Sequence, residues 1–149
     1  MLGLRRARMR APSGGTLVLP FELQMLGYSV LLGLVHILLA AHAASLQRGY
    51  RWAAGSRDEP LPALTGIAGR LTRAQSNFLE TFAFFATLAI AVVVSGRSGP
   101  LSIWGAGLYL SGRIVYLPLY AAGIPYVRSL AWNVAAIGIL LLLVALLRG

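Results

Sequence analysis

The sequence contains no cysteine, no lysine and only four acidic residues. The absence of cysteine excludes disulfides, thiolate metal sites and a protein thiol nucleophile. Charged residues make up 11% of the chain and hydrophobic residues 58%, and the mean hydropathy is +0.75. This composition excludes an ordinary soluble domain of 149 residues and predicts an integral membrane protein.

The basic residues are 13 arginines, and the formal net charge is +9. These arginines are scattered among predicted helix ends and loops, and no soluble domain carries them on one surface. Nucleic-acid binding is therefore not expected.

Four apolar stretches are each near the length needed to cross a bilayer. They are about Phe21–Leu46, Asn77–Ser95, Leu101–Tyr120 and Val127–Leu147. Strand-like alternation is absent, so the sequence predicts an all-α membrane protein built as a four-transmembrane-helix bundle. Tight turns are expected near Gly96–Pro100 and Ala122–Pro125, which makes the connected helices antiparallel.

The remaining segments are predicted to be a tail and a loop. Residues 1–16 have the composition of a basic, flexible tail, and the membrane domain is expected over residues 17–149. A cleaved signal peptide is only weakly indicated. The one long loop is expected from Gln47 to Thr72. The loop side and the termini side hold six arginines each; when the tail is discounted, the loop side is richer and is predicted to face the cytoplasm.

Two polar stripes interrupt the apolar helices. Arg73, Asn77 and Glu80 share one face of the second helix, and Phe84 continues it. The third helix collects a guanidinium and three phenols on one face, at Tyr109, Arg113, Tyr116 and Tyr120.

The two stripes and the start of the fourth helix together carry more positive than negative charge. Three arginines, Arg73, Arg113 and Arg128, outnumber the one acidic residue, Glu80, so a bound anion is expected. In the alternative interpretation, Arg113 only pairs with Glu80 and the tyrosines form an interfacial belt.

The segment Arg73-Ala74-Gln75-x-Asn77-x-x-Glu80 resembles the signature of the MAPEG family, the membrane-associated proteins in eicosanoid and glutathione metabolism. Arg113-x-x-Tyr116-x-x-x-Tyr120, followed by an arginine past the turn, resembles the third-helix pattern of that family. The loop is similar to that of its bacterial branch, which points to a bacterial cytoplasmic membrane. Thr81 is a departure, because some members have tyrosine there.

The resemblance implies a homotrimer that binds glutathione as co-substrate between subunits and acts on lipophilic electrophiles in detoxification. Four residues of the second helix would contact glutathione, namely Arg73, Gln75, Asn77 and Glu80. Arg113, Tyr116 and Tyr120 of a neighbouring subunit would complete the pocket, with either Arg48 or Arg51 from the loop. Arg128 would match the arginine that activates the thiol for conjugation or peroxidase chemistry.

Other functions remain open at this stage. A family member without enzymatic activity could bind a lipid and present it to a partner. Glu22 invites comparison with small multidrug transporters, although it lies near a helix end. His36 and His42 lie on different faces, so no metal or haem site is expected. Ala83, Thr87 and Ala91 form a small-residue stripe that predicts close helix packing, and Trp104, Tyr126 and Trp132 are expected to be interfacial anchors.

Overall fold

The computed structural model describes residues 18–56, 58 and 61–148. The predicted N-terminal tail, residues 1–16, lies outside these described residues. Five helices follow in order: α1 (Phe21–Arg48), α2 (Tyr50–Ala54), α3 (Gly66–Val94), α4 (Pro100–Ala122) and α5 (Pro125–Arg148). The chain is all-α as predicted, and its four long helices pack together.

Three of these helices, α1, α3 and α5, are long and apolar enough to cross a membrane. Helix α4 is 23 residues long but less apolar, because it contains Arg113, three tyrosines and two prolines. The fourth membrane span therefore stays a prediction. The two predicted turns are confirmed: Gly96 and Gly123 adopt positive φ angles of 69° and 80°, and Pro100 and Pro125 begin the helices that follow.

The predicted loop from Gln47 to Thr72 was wrong in extent. Helix α1 continues to Arg48, the short α2 follows, and α3 begins at Gly66. The first turns of α3 are too polar to be recognised as part of a span, yet Ala68, Leu71 and Ala74 recur at helical spacing and are buried.

Each end of the bundle is held by contacts between helices. At one end, the Arg70 Nε donates to the Ala121 carbonyl at 2.8 Å. At the other end, the Ser102 hydroxyl binds the buried Glu22 carboxylate, and the Arg97 guanidinium donates to the Leu146 carbonyl. Glu22 thus ties α1 to the start of α4, where a carboxylate also interacts favourably with the helix dipole. The structure gives Glu22 this packing role and adds no support for a transporter.

The closest helix packing does not use the small-residue stripe predicted on α3. Ala83 and Thr87 are exposed in the subunit. Instead, α4 and α5 approach each other at glycines. A Cβ atom added to Gly138 would lie 2.5 Å from the Gly105 carbonyl oxygen, and one added to Gly112 would lie 2.8 Å from the Ala131 carbonyl oxygen. The two backbones can approach this closely only because no side chain separates them.

We expect Gly138→Ala to lower the free energy of unfolding of the detergent-solubilised protein by about 1–3 kcal/mol, because the added methyl group forces α4 and α5 apart. Gly27→Ala on α1 is the matched control, because its new Cβ meets no atom within 4 Å. Thermal unfolding monitored by circular dichroism would compare the two variants. Equal stability of Gly138→Ala and the wild type would contradict this account of the α4–α5 contact.

Candidate functional site

Arg113 lies at the centre of the polar region between α3 and α4. Its side chain is only 1% exposed. One terminal nitrogen donates to the Asn77 Oδ1 at 2.8 Å, and the other donates to the Thr81 hydroxyl. The alternative pairing of Arg113 with Glu80 is therefore wrong, because the neutral side chains of Asn77 and Thr81 hold the guanidinium.

Two of the three tyrosines predicted on the same face of α4 lie against Arg113. The guanidinium carbon lies 5.7 Å from the centre of the Tyr109 ring and 5.2 Å from that of Tyr116. Tyr109 also stacks on Phe85, with ring centres 4.0 Å apart. These cation–π contacts and the two hydrogen bonds fix Arg113 inside the subunit.

A cavity of about 350 Å³ opens next to this cluster, where α4 ends and α5 begins. It brings together four residues predicted from the sequence, Asn77, Tyr116, Tyr120 and Arg128. The Arg128 guanidinium carbon lies 4.3 Å from the centre of the Tyr120 ring. Among the described residues, Arg128 makes no hydrogen bond, so its N–H donors are available to a ligand.

Arg128 owes its position to the turn before it. Gly123 adopts a left-handed conformation, Pro125 begins α5, and Arg128 falls in the first turn of that helix. The amino-terminal end of a helix carries partial positive charge. The guanidinium and the helix end therefore both favour an anion at this edge of the cavity.

The predicted stripe on α3 is divided between two environments. Asn77 lines the cavity, Gln75 is half-buried, and Arg73 and Glu80 are exposed on the outer face of the subunit. Phe84, which continues the stripe, is 66% exposed. A carboxylate such as Glu80 next to an apolar span would be costly if it were exposed to hydrocarbon.

Neither loop arginine lines the cavity. The Arg48 guanidinium lies 4.8 Å from the centre of the Trp52 ring, and Arg51 is exposed on α2.

Sequence reasoning missed three residues that line the cavity, Ser129, Trp132 and Asn133. Their signal was their spacing, because Trp132 follows Arg128 by one turn and Asn133 follows Ser129 by one turn. Trp132 is half-buried at the cavity, whereas Trp104 and Tyr126 are exposed near helix ends. The role of all three as interfacial anchors stays a prediction. Thr81 was recognised only as a departure from the family pattern, and the structure shows that it holds Arg113.

The two histidines lie in different environments. His36 is buried and stacks on Phe78, with ring centres 4.5 Å apart, while its Nδ1 lies 2.9 Å from the Leu32 carbonyl oxygen. His42 is exposed and lies 2.8 Å from the Tyr50 hydroxyl. Within the part of the chain that the structure describes, no group of three or more histidine, aspartate or glutamate side chains could hold a metal ion.

Comparison with known proteins agrees with the resemblance found in the sequence. No curated protein matches the chain. The sequence model of the MAPEG family matches residues 25–148, which include all of the cavity residues. The chain therefore belongs to the MAPEG family of membrane proteins, whose functions are of the glutathione-related transferase and peroxidase type.

Proposed function

We propose that this protein is a membrane-bound transferase or peroxidase that uses glutathione, or a similar thiol, against lipophilic electrophiles. The observation that carries the proposal is the position of Arg128, whose side chain lines a polar cavity and makes no hydrogen bond within the described part of the chain. Family membership supports the class of reaction, and the geometry supports this residue as the group that activates the thiol.

The chemistry requires a thiolate because a neutral thiol is a weak nucleophile. A free thiol has a pKa near 8.5, and a guanidinium beside the sulfur lowers that pKa by stabilising the anion. The thiolate then forms a sulfur–carbon bond with an electrophile from the bilayer, and the leaving group departs with its bonding electrons. Positioning of the two reactants supplies much of the rate. No nucleophile from the protein is needed.

The charges of glutathione match the polar residues around the cavity. Its two carboxylates suit arginines, which can donate two hydrogen bonds to each carboxylate. Its ammonium suits Glu80 with Asn77. Because Arg73 and Glu80 lie on the outer face of α3 while Arg128 lies in the cavity, these groups act together most simply across a subunit interface. This arrangement supports sites between subunits, and membership of the MAPEG family supports a homotrimer.

The location of the site follows from the helix ends. The cavity lies at the end of the bundle where α1 and α4 finish and α3 and α5 begin. That end also carries the larger number of arginines once the N-terminal tail is discounted. By the positive-inside rule, this charge distribution supports a site on the cytoplasmic face. The resemblance of the loop to the bacterial branch of the family supports a bacterial inner membrane.

A second candidate function is lipid binding without catalysis. A groove of about 490 Å³ lies between α1 and α4, and its lining is almost entirely apolar, with Met25, Leu32 and Ile114 among its residues. Such a groove suits an acyl chain whether or not chemistry follows. Arg128 discriminates between the two functions, since thiolate formation requires it and lipid binding does not.

The proposed function is tested by titrating the purified protein with glutathione while the ultraviolet absorbance of the thiolate is recorded. We expect a saturable absorbance increase at neutral pH, because bound glutathione ionises. S-methylglutathione is the control ligand, since it can occupy the site without ionising. Binding of glutathione without a thiolate signal would favour the lipid-binding function, and absence of binding would refute the thiol site.

The outer face of α3 gives a separate prediction. Glu80→Gln and Arg73→Ala should each weaken glutathione binding by about tenfold, because each removes one charge-assisted contact with the ligand. Folding should be preserved, since both side chains are exposed. Ser76→Ala on the same exposed face is the matched control, because the Ser76 hydroxyl bonds only to the Thr72 carbonyl of its own helix. If calorimetry showed unchanged glutathione affinity for both Glu80→Gln and Arg73→Ala, this face of α3 would not be part of the binding site.

A further inference from the structure

A second positively charged cavity lies at the opposite end of the bundle. Its volume is about 200 Å³, and it is found where α3 and α5 end and α4 begins. Arg97, from the α3–α4 turn, and Arg148, at the end of α5, both line it. The cavity lies apart from the proposed thiol site and is not used by the proposed reaction.

The positive charge of this cavity has no acidic side chain paired with it in the described part of the chain. Among the described residues, neither arginine has an ion-pair partner. Glu22, the acidic residue of this end, is buried against the Ser102 hydroxyl. Leu101 and Ser102, at the amino-terminal end of α4, also line the cavity.

Arg97 is held in place by its own contact. One terminal nitrogen donates to the Leu146 carbonyl, which belongs to the last turn of α5 and has no partner within that helix. This bond fixes the guanidinium at the cavity and leaves its other donors available. Arg148 makes no hydrogen bond among the described residues, so all of its donors are available.

Exposed apolar side chains lie near the same helix ends as the two arginines. Leu101 is 39% exposed, Leu147 is 72% exposed, and Trp104 is exposed one turn into α4. Side chains of this kind at the ends of membrane helices contact the upper part of the lipid acyl chains. A charged cavity next to an exposed apolar border matches an amphipathic anion better than a free one.

We propose that this cavity binds the phosphate of an anionic phospholipid in the leaflet opposite the thiol site. Arg97 and Arg148 grip the phosphate oxygens, and the acyl chains run along Leu101, Trp104 and Leu147. Arginine suits this ligand because its planar group can donate two hydrogen bonds to a phosphate. The lipid thereby links the α3–α4 turn to the end of α5.

Native mass spectrometry of the protein in a mild detergent tests the proposal, with phosphatidylglycerol and phosphatidylcholine as the two probes. We expect the wild type to retain phosphatidylglycerol in preference to phosphatidylcholine. The double variant Arg97→Gln with Arg148→Gln should lose phosphatidylglycerol binding by roughly tenfold or more, since each arginine near the surface strengthens binding to anionic lipid about fivefold. Arg51→Gln, an exposed arginine at the other end of the bundle, is the matched control and should bind as the wild type does.

Each contrary outcome overturns the proposal. Equal retention of the two lipids would contradict a preference for an anionic headgroup. If Arg51→Gln lost as much phosphatidylglycerol binding as the double variant, the assignment of the site to Arg97 and Arg148 would be refuted. Displacement of phosphatidylglycerol by inorganic phosphate at a similar concentration would show a free-phosphate site instead. If the double variant does not fold, the single variant Arg148→Gln is measured instead, because this substitution breaks no side-chain hydrogen bond among the described residues. Retention of phosphatidylglycerol by Arg148→Gln at the wild-type level would refute the assignment.

Discussion

Replacing Arg128 by alanine is expected to lower the rate of glutathione conjugation by about tenfold or more while leaving glutathione affinity nearly intact. The loss of one pKa unit in thiolate stabilisation corresponds to about 1.4 kcal/mol, which is a factor of ten. Affinity should persist because other charged groups hold the carboxylates and the ammonium of the ligand. Turnover of chlorodinitrobenzene and calorimetric titration would be measured on the same preparation.

Two further variants sharpen the Arg128 experiment. Arg128→Lys should recover part of the rate, because it restores a point charge without the planar fork. Ser129→Ala is the matched control on the cavity wall; the Ser129 hydroxyl donates to the Pro125 carbonyl of its own helix, so little change is expected.

The pH dependence gives an independent test of the same role. The thiol should ionise at higher pH when Arg128 is absent, so the rate of Arg128→Ala should keep rising with pH after that of the wild type has levelled off. A fully active Arg128→Ala with an unchanged pH profile would contradict the role of this arginine. A wild type that binds thiol but conjugates no electrophile would favour lipid binding instead.

Hydropathy predicted the all-α class because the backbone N–H and C=O groups of each apolar stretch must form hydrogen bonds with one another in lipid, which a helix allows. It was least informative where the helices leave the apolar region. The first turns of α3 contain Arg70, Thr72 and Arg73, which lower the hydropathy and made this helical segment look like loop. Burial of Ala68 and Leu71 on one side, which average hydropathy does not measure, marks it as part of the bundle.

Helical spacing also could not predict which stripe faces which neighbour. Ala83, Thr87 and Gly138 are all small, but only Gly138 is used for close packing within the subunit. The choice depends on how α4 and α5 cross, which is a tertiary property. The same limit applies to Asn77 and Glu80, which share a stripe on α3 although only Asn77 reaches Arg113.

Charge counting could not predict the roles of individual arginines. The excess of arginine over glutamate led to the prediction of a bound anion, which stays a prediction. Charge counting could not show that Arg113 donates to Asn77 and Thr81 while the Arg128 side chain has no hydrogen-bond partner among the described residues, because these contacts join different helices. The two arginines therefore differ in their contacts for a reason found only in the packing.

Arg113 leads to the prediction with the largest expected effect on stability. Arg113→Ala should lower the free energy of unfolding of the ligand-free protein by about 3 kcal/mol. The substitution leaves a cavity and removes the hydrogen-bond partner of Asn77 and Thr81. Arg73→Ala is the matched control, because it removes an exposed arginine and should change stability by no more than about 0.5 kcal/mol. Thermal unfolding in detergent without glutathione would compare the two.

The contrasting expectation for Arg113 comes from the family resemblance, which makes this arginine a glutathione contact of a neighbouring subunit. If that were its main role, Arg113→Ala would keep the stability of the ligand-free protein and lose only glutathione affinity. A double-mutant cycle with Asn77→Ala separates the two roles. A coupling energy above about 0.5 kcal/mol in the ligand-free protein would show that the Arg113–Asn77 bond stabilises the subunit itself, whereas additive effects would contradict the structural role. Because Asn77 also lines the cavity, the loss of this bond should disturb glutathione binding as a consequence, so the unfolding measurement must come first.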